Sequence, residues 1–120
     1  MNSKEFARRR RQLMQMIGDG GIAILPAAPV RTRSRDIEYR YRQDSDFYYL
    51  TSFAEPDAVA VLVPGRDNGE YLLFCRERDA NKEMWDGSRA GPGGAISTYD
   101  ADDAFPIDDI DDILPGIMES

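Results

Sequence analysis

At 120 residues the chain has room for one domain with one core, and its 42% hydrophobic and 31% charged content is that of a soluble globular protein with a somewhat charged surface. Nothing in it approaches the roughly 20 consecutive apolar residues of a membrane span, and the basic start MNSKEFARRRRQ leads into no apolar signal segment. A lone cysteine, Cys75, excludes an internal disulfide framework and points to a reducing, cytoplasmic setting.

The net charge of -7 is unevenly divided: residues 1–42 hold ten of the fifteen Lys and Arg against four acids, and residues 43–120 hold five against eighteen. A basic arm for nucleic acid is one reading of such asymmetry. An acidic whole repels phosphate backbones, however, so attraction between the two ends of one domain, or between subunits, is the simpler account and no nucleic-acid partner is expected.

Residues 3–17 read as a helix, capped by Asn2 or Ser3, with Glu5 in its first turn and GDGG closing it. Phe6, Leu13, Met14 and Ile17 gather near one face, and Arg8–Arg11 are expected mostly to wrap the solvated remainder. GIAILP (21–26) is an apolar run ended by Pro26, a buried strand. Residues 27–46 show no period and read as a long loop, the kind that is either functional or disordered. Phe47–Leu50 is a short β-favouring run. Residues 58–63, AVAVLV, are the strongest strand signal, and a DNG turn returns the chain through Tyr71–Cys75 as a hairpin. Asn81–Trp85 suits a short helix, 87–94 a glycine-rich surface loop, and the stripe Ile107, Ile110, Ile113, Leu114, Ile117 a last helix near 107–118 that Pro115 should kink or shorten. This order predicts an α/β domain, a mixed β-sheet flanked by helices.

Catalytic chemistry is conspicuously absent. With no histidine there is no Ser-His or Cys-His pair and none of the commonest metal ligand. Cys75 alternates within YLLFC as a small hydrophobe. GPGG at 91–94 lacks the GK[ST] of a phosphate loop, and the aspartates at 100, 102, 103, 108, 109, 111 and 112 lack the spacing, glycine and final glutamate of a calcium loop, which leaves a solvated acidic face.

The segment YRYRQDSDFYYLTSF (39–53) remains, too polar for a core strand and too aromatic for a plain loop. Phe47, Tyr49 and Phe53 alternate into this domain's core on one reading, with Asp44 or Asp46 holding turns. On the other, Tyr39, Tyr41, Arg42 and Tyr48 form a contact surface of the aromatic and arginine type that interfaces prefer.

The longer stretch TRSRDIEYRYRQDSDFYYLTSFAEPDAVAVLVP (32–64) resembles the N-terminal domain of Xaa-Pro aminopeptidases, the aminopeptidase P family within the creatinase/prolidase-type metallopeptidases. RRRRQ before it and RERD and EMWDGSRAG after it fall in that family's order; Arg40 departs, standing where relatives often place proline. The resemblance implies a two-domain enzyme that removes an N-terminal residue preceding proline. Its C-terminal pita-bread domain, absent here, would hold two divalent metals, usually manganese, that activate a water. It further implies that this domain is not catalytic, lacks its last strand or strands, supports a homo-oligomer (dimer or tetramer) and walls the active-site mouth. Its partners would be its own catalytic domain, further copies of itself and a proline-containing peptide. Two positions match substrate-proximal residues of the family. Asp36 would reach toward a neighbouring subunit's site, its alternative being an exposed loop acid. Trp85 would line the cleft, its alternative being a core tryptophan on a short helix. A related prolidase, or a stand-alone module binding protein or peptide, are the competing readings.

Overall fold

The run Tyr71–Cys75 is buried at every position, and that fact organises the molecule. In the computed structural model, which describes residues 3–29 and 43–119, this run is strand β3 of a four-stranded sheet ordered β1-β2-β3-β4. β1 (Ala23–Pro26) pairs antiparallel with β2 (Val59–Leu62), and β2 pairs antiparallel with β3, as the hairpin signal anticipates. β4 (Asp103–Pro106) then adds parallel to β3, with Leu72 opposite Asp103 and Cys75 opposite Pro106. A parallel neighbour requires a crossover, which here contains helices α3 (Ala80–Asp86) and α4 (Gly91–Tyr99). The sheet is therefore mixed and flanked by helices, as expected.

Side chains alternate along β3, so its continuous burial means that both faces are covered. On one face Leu73, Cys75 and Tyr71 join Ala60, Leu62, Phe47, Phe53 and Ala95, with Leu13 and Met14 of α1 (Ser3–Ile17) packed against them. On the other, Leu72, Phe74 and Val61 meet the stripe Ile107, Ile110, Ile113, Leu114 and Ile117. That stripe lies on a 3-10 turn, Ile107–Asp109, followed by helix α5 (Ile110–Glu119). Fully burying a Phe or Leu stabilises by about 1.5–3 kcal/mol, so the two clusters carry the fold.

Several expectations are corrected. The run ending at Pro26 is a strand but not a buried one: β1 is the edge of the sheet, its residues alternate between half-buried and exposed, and Ile24 is 42% exposed. Phe47–Leu50 is not a strand but part of helix α2 (Ser45–Thr51), because Phe47, Leu50 and Thr51 are buried at i, i+3 and i+4 and Asp44 caps the N-terminus. The glycine-rich 87–94 is only partly loop: α4 begins at Gly91, with Pro92 in its first turn, where a missing N–H costs nothing. α5 begins at Ile110 rather than Ile107 and runs through Pro115 to Glu119, so the proline does not shorten it. The four arginines do not share a solvated face: Arg8 and Arg11 are exposed, but Arg10 is buried at 5% exposure. Strand β4 has no counterpart in the sequence reading.

Two glycines are required where they stand. Gly69 (φ 116°) closes the hairpin turn, and a Cβ there would lie 2.6 Å from Asp102 Cβ. Gly91 (φ 72°) opens α4, and a Cβ there would lie 2.8 Å from Arg78 Cγ. Asp102 comes that close because its Oδ2 accepts from both Glu70 N and Tyr71 N, each at 3.0 Å. Four further acids of the tail, Asp108, Asp109, Asp111 and Asp112, are exposed around the start of α5, where the helix dipole favours them.

Candidate functional site

The described part of the aromatic segment, residues 43–53, sorts residue by residue into scaffold and surface. Gln43 is its bracket. Gln43 Oε1 accepts from Ala28 N at 2.8 Å and Asp44 N at 2.9 Å, and Nε2 donates to Phe53 O at 3.3 Å and Glu55 O at 2.8 Å. One amide thus ties together the segments following β1, preceding α2 and following α2. Asp44 Oδ1 caps α2 by accepting from Phe47 N at 2.9 Å, a turn-holding role anticipated for it. Phe47 and Phe53 are fully buried, and Phe53 meets Tyr99 edge-to-face at 4.9 Å. The buried Thr51 hydroxyl donates to Phe47 O and accepts from Phe53 N, so this buried polar group is paired.

Tyr48 and Tyr49 point outward instead, since helical spacing separates them from Phe47 and Leu50. Tyr49 therefore does not alternate into the core with Phe47 and Phe53. Beside it, the Arg9 guanidinium lies over the Tyr49 ring at 4.2 Å and the Phe6 ring at 4.8 Å, and donates to Tyr49 O at 3.1 Å. Tyr48 meets Phe6 edge-on at 6.3 Å. The result is an exposed aromatic–arginine face shared by α1 and α2. Arg10, one residue along, turns inward: Arg10 Nη1 donates to Leu50 O at 2.8 Å and the guanidinium sits 4.2 Å over the Tyr71 ring. Burial lowers the Arg10 pKa and raises that of Tyr71.

The second candidate surface is α3. Asp79 caps it, accepting from Asn81 N and Lys82 N at 3.1 Å, and Gly87 ends it in a positive-φ conformation with its N–H on Glu83 O. Its outer side displays Met84 and Trp85, the latter 85% exposed. Trp85 is the chain's one tryptophan, so the alternative of a core indole is excluded by geometry. The inner side is a carboxylate hub. Glu83 accepts from Arg89 N, Asp79 N and Arg78 Nε, and these bonds, that of Arg89 foremost, pull its pKa down to about 2. Below α3, Asp57, Arg76, Arg78, Asp79, Lys82 and Arg89 line part of an open pocket of about 510 Å³.

Of the residues singled out from sequence, Trp85 and Tyr48 are both exposed, on α3 and α2 respectively. Asp36, Tyr39, Tyr41 and Arg42 lie outside the described residues. Gln43 and Glu83 were not anticipated; an amide beside a helix cap and a glutamate four residues after Asp79 carry only faint signals of their roles. Cys75 is fully buried and burial pushes its thiol up to about 12, the behaviour of a small hydrophobe. Among the described residues no group of three or more His, Cys, Asp and Glu is placed to hold a metal. No helix among them is long and apolar enough to cross a membrane.

With this geometry in view, residues 6–120 match the family model of the aminopeptidase P N-terminal domain. Xaa-Pro aminopeptidase of Escherichia coli K12 is 42% identical over 115 residues, 95% of this chain and 26% of that protein. Human Xaa-Pro aminopeptidase 3 is 34% identical over 96% of this chain and 25% of its own length. The solved structure of Pseudomonas aeruginosa aminopeptidase PepP is 63% identical and matches with a TM-score of 0.92 over 98% of this chain and 26% of that one. A variant of E. coli aminopeptidase P in complex with substrate matches at 42% identity with a TM-score of 0.86, over 95% of this chain and 26% of that one. The chain spans about a quarter of the length of the relatives it matches. A fold, a set of motifs and a family model that agree over nearly every residue lead to one conclusion: this chain belongs to the aminopeptidase P N-terminal domain family.

Proposed function

We propose that this chain serves as the non-catalytic N-terminal domain of a cytoplasmic Xaa-Pro aminopeptidase, where it walls the active-site cleft and supports a homo-oligomer. The observation that carries this reading is Trp85, a large apolar ring held 85% in solvent on a capped helix within a chain of this family. An indole so exposed forfeits the stabilisation of burial, about 1.5–3 kcal/mol for a large side chain. A flat ring of that kind suits a proline ring or a peptide backbone passing over it.

The chain's own contribution is positional. Trp85 would bound the cleft and orient the peptide, and Asp36, at a matching family position, would reach toward a neighbouring subunit's site and receive the α-ammonium. The Tyr48 face, with Tyr39, Tyr41 and Arg42, would contact another subunit. The divalent metals, manganese by resemblance, find no fitting ligand cluster among the described residues, so no reaction step is assigned to a metal held by this chain. A zinc-substituted E. coli aminopeptidase P has been solved with product, which is a property of that relative.

The test is Trp85→Ala in the full-length enzyme, with kcat/KM measured on an Xaa-Pro peptide and unfolding followed in denaturant. A misplaced substrate costs on the order of a hundredfold in rate for about 1 Å, whereas removing an exposed ring costs little stability. Unchanged kcat/KM in a folded Trp85→Ala enzyme would end this reading.

A further inference from the structure

A helix of seven residues has no stability of its own, so whatever orients Trp85 must come from outside the helix backbone. Glu83 supplies it. Its Oε1 accepts from Arg89 N at 2.8 Å and Arg78 Nε at 3.1 Å, and its Oε2 accepts from Asp79 N at 2.8 Å and Arg78 Nε at 3.2 Å. Asp79 is the residue that enters α3 and Arg89 lies just beyond its exit, so one carboxylate joins the two ends of the helix. The next amide along, Ala90 N, is taken by Glu55 Oε2 at 2.8 Å. Glu55 Oε1 in turn lies 3.4 Å from Arg76 Nη2, immediately after β3. The exit segment is therefore fastened to α3 by one carboxylate and to the sheet by another.

The geometry also sets direction. Residues two apart on a helix point to nearly opposite sides. The Glu83 side chain is only 10% exposed while Trp85 is 85% exposed. Holding Glu83 inward is what turns the indole outward.

We infer that Glu83 is a positioning residue that fixes the orientation of the Trp85 indole toward a bound proline-containing peptide; this inference rests on the cleft-wall reading above. Glu83 acts through Trp85, its own side chain being turned into the domain. Glutamine is no substitute for it. Its single carbonyl oxygen can serve only one side of the clamp, and its NH₂ would face donors on the other.

The experiment is a double-mutant cycle in the full-length enzyme, with an Xaa-Pro peptide as substrate and circular dichroism confirming the fold. Glu83→Gln is expected to lower kcat/KM on the order of tenfold, part of the roughly hundredfold that a 1 Å misplacement costs. Glu83→Asp, which keeps a carboxylate on a shorter arm, is expected to recover part of that loss and stands in for the Gln variant should the latter not fold. Glu83→Gln added to Trp85→Ala is expected to change kcat/KM by no more than about twofold, because independent effects multiply and this one has lost its target. A purely structural role would lower activity equally in both backgrounds and would overturn the inference. So would an unchanged Glu83→Gln enzyme alongside an impaired Trp85→Ala enzyme. An unimpaired Trp85→Ala enzyme would instead overturn the cleft-wall reading, and the inference with it.

Discussion

Arg10→Met should destabilise the protein, and the neighbouring Arg11→Met should not. Arg10 is 5% exposed, donates to the Leu50 carbonyl at 2.8 Å in the last turn of α2, and covers the Tyr71 ring at 4.2 Å. Methionine keeps the unbranched stem and removes the charge. A hydrogen bond from a charged donor is worth about 1.5–3 kcal/mol, and a desolvated cation–π contact about 2 kcal/mol. Against these stands the relief of no longer burying a guanidinium, the same burial that lowers the Arg10 pKa. The net expectation is a loss of about 2–3 kcal/mol. With a urea m-value of about 2 kcal/mol/M, the midpoint should fall by about 1–1.5 M. Arg11 is exposed, so its substitution should stay within about 0.5 kcal/mol. Equal midpoints for the two variants would refute the reasoning, because the tetra-arginine run would then be energetically uniform.

Three further outcomes follow from the same packing. Phe53→Ala, which empties a fully buried site in contact with Tyr99 and Phe47, should cost about 3–5 kcal/mol in urea unfolding; a loss below about 1 kcal/mol would mean the core collapses to fill it. Glu83 has a folded pKa of about 2 against an ordinary 4.5, so its stabilising contribution is complete above about pH 4.5 and is lost as pH falls toward 2. The midpoint gap between wild type and Glu83→Gln should therefore shrink between about pH 5 and about pH 2.5, and a gap that stays constant across that range would contradict the assignment. Cys75 should resist thiol reagents at about pH 8 in the native state and react once urea unfolds the chain; rapid native labelling would show that the strand opens.

Some of this molecule is written locally in the chain. The 15-residue helix at the start, the DNG hairpin and the Ile107–Ile117 stripe each carry a period or a turn dipeptide strong enough to be read without context. The family motifs are local strings too, so membership was legible in YRQDSDFYYLTSF and EMWDGSRAG. Local propensity misled where tertiary context outweighed it. FYYL favours a strand by composition, yet Asp44 caps it and Gln43 anchors its start, so burial at i, i+3 and i+4 makes it a helix. GPGG argues for loop, yet Pro92 at the first turn and Ala95 against the core make it a helix. β4 is four half-buried residues whose partner lies some thirty positions away, and a parallel pairing leaves no turn signal in the sequence.

The candidate site divides the same way. That Trp85 and Tyr48 are chemically suited to contact a peptide or another subunit is a property of their side chains and was evident from the chain alone. The charge before EMW and the Asp86-Gly87 after it already point to a surface position for Trp85; the contacts of Glu83 with Arg78, Asp79 and Arg89, and of Glu55 with Ala90 35 residues along the chain, are tertiary and leave no such local signal. Nor could four adjacent arginines be told apart: only the packing of α1 against α2 and β3 decides that Arg10 is buried while Arg8 and Arg11 stay in water. Sequence by itself determined the strongly periodic elements, the turn between β2 and β3, and the family they spell. The tertiary structure alone decided which side chains those elements turn inward, because burial is a property of contacts between segments and not of any segment by itself.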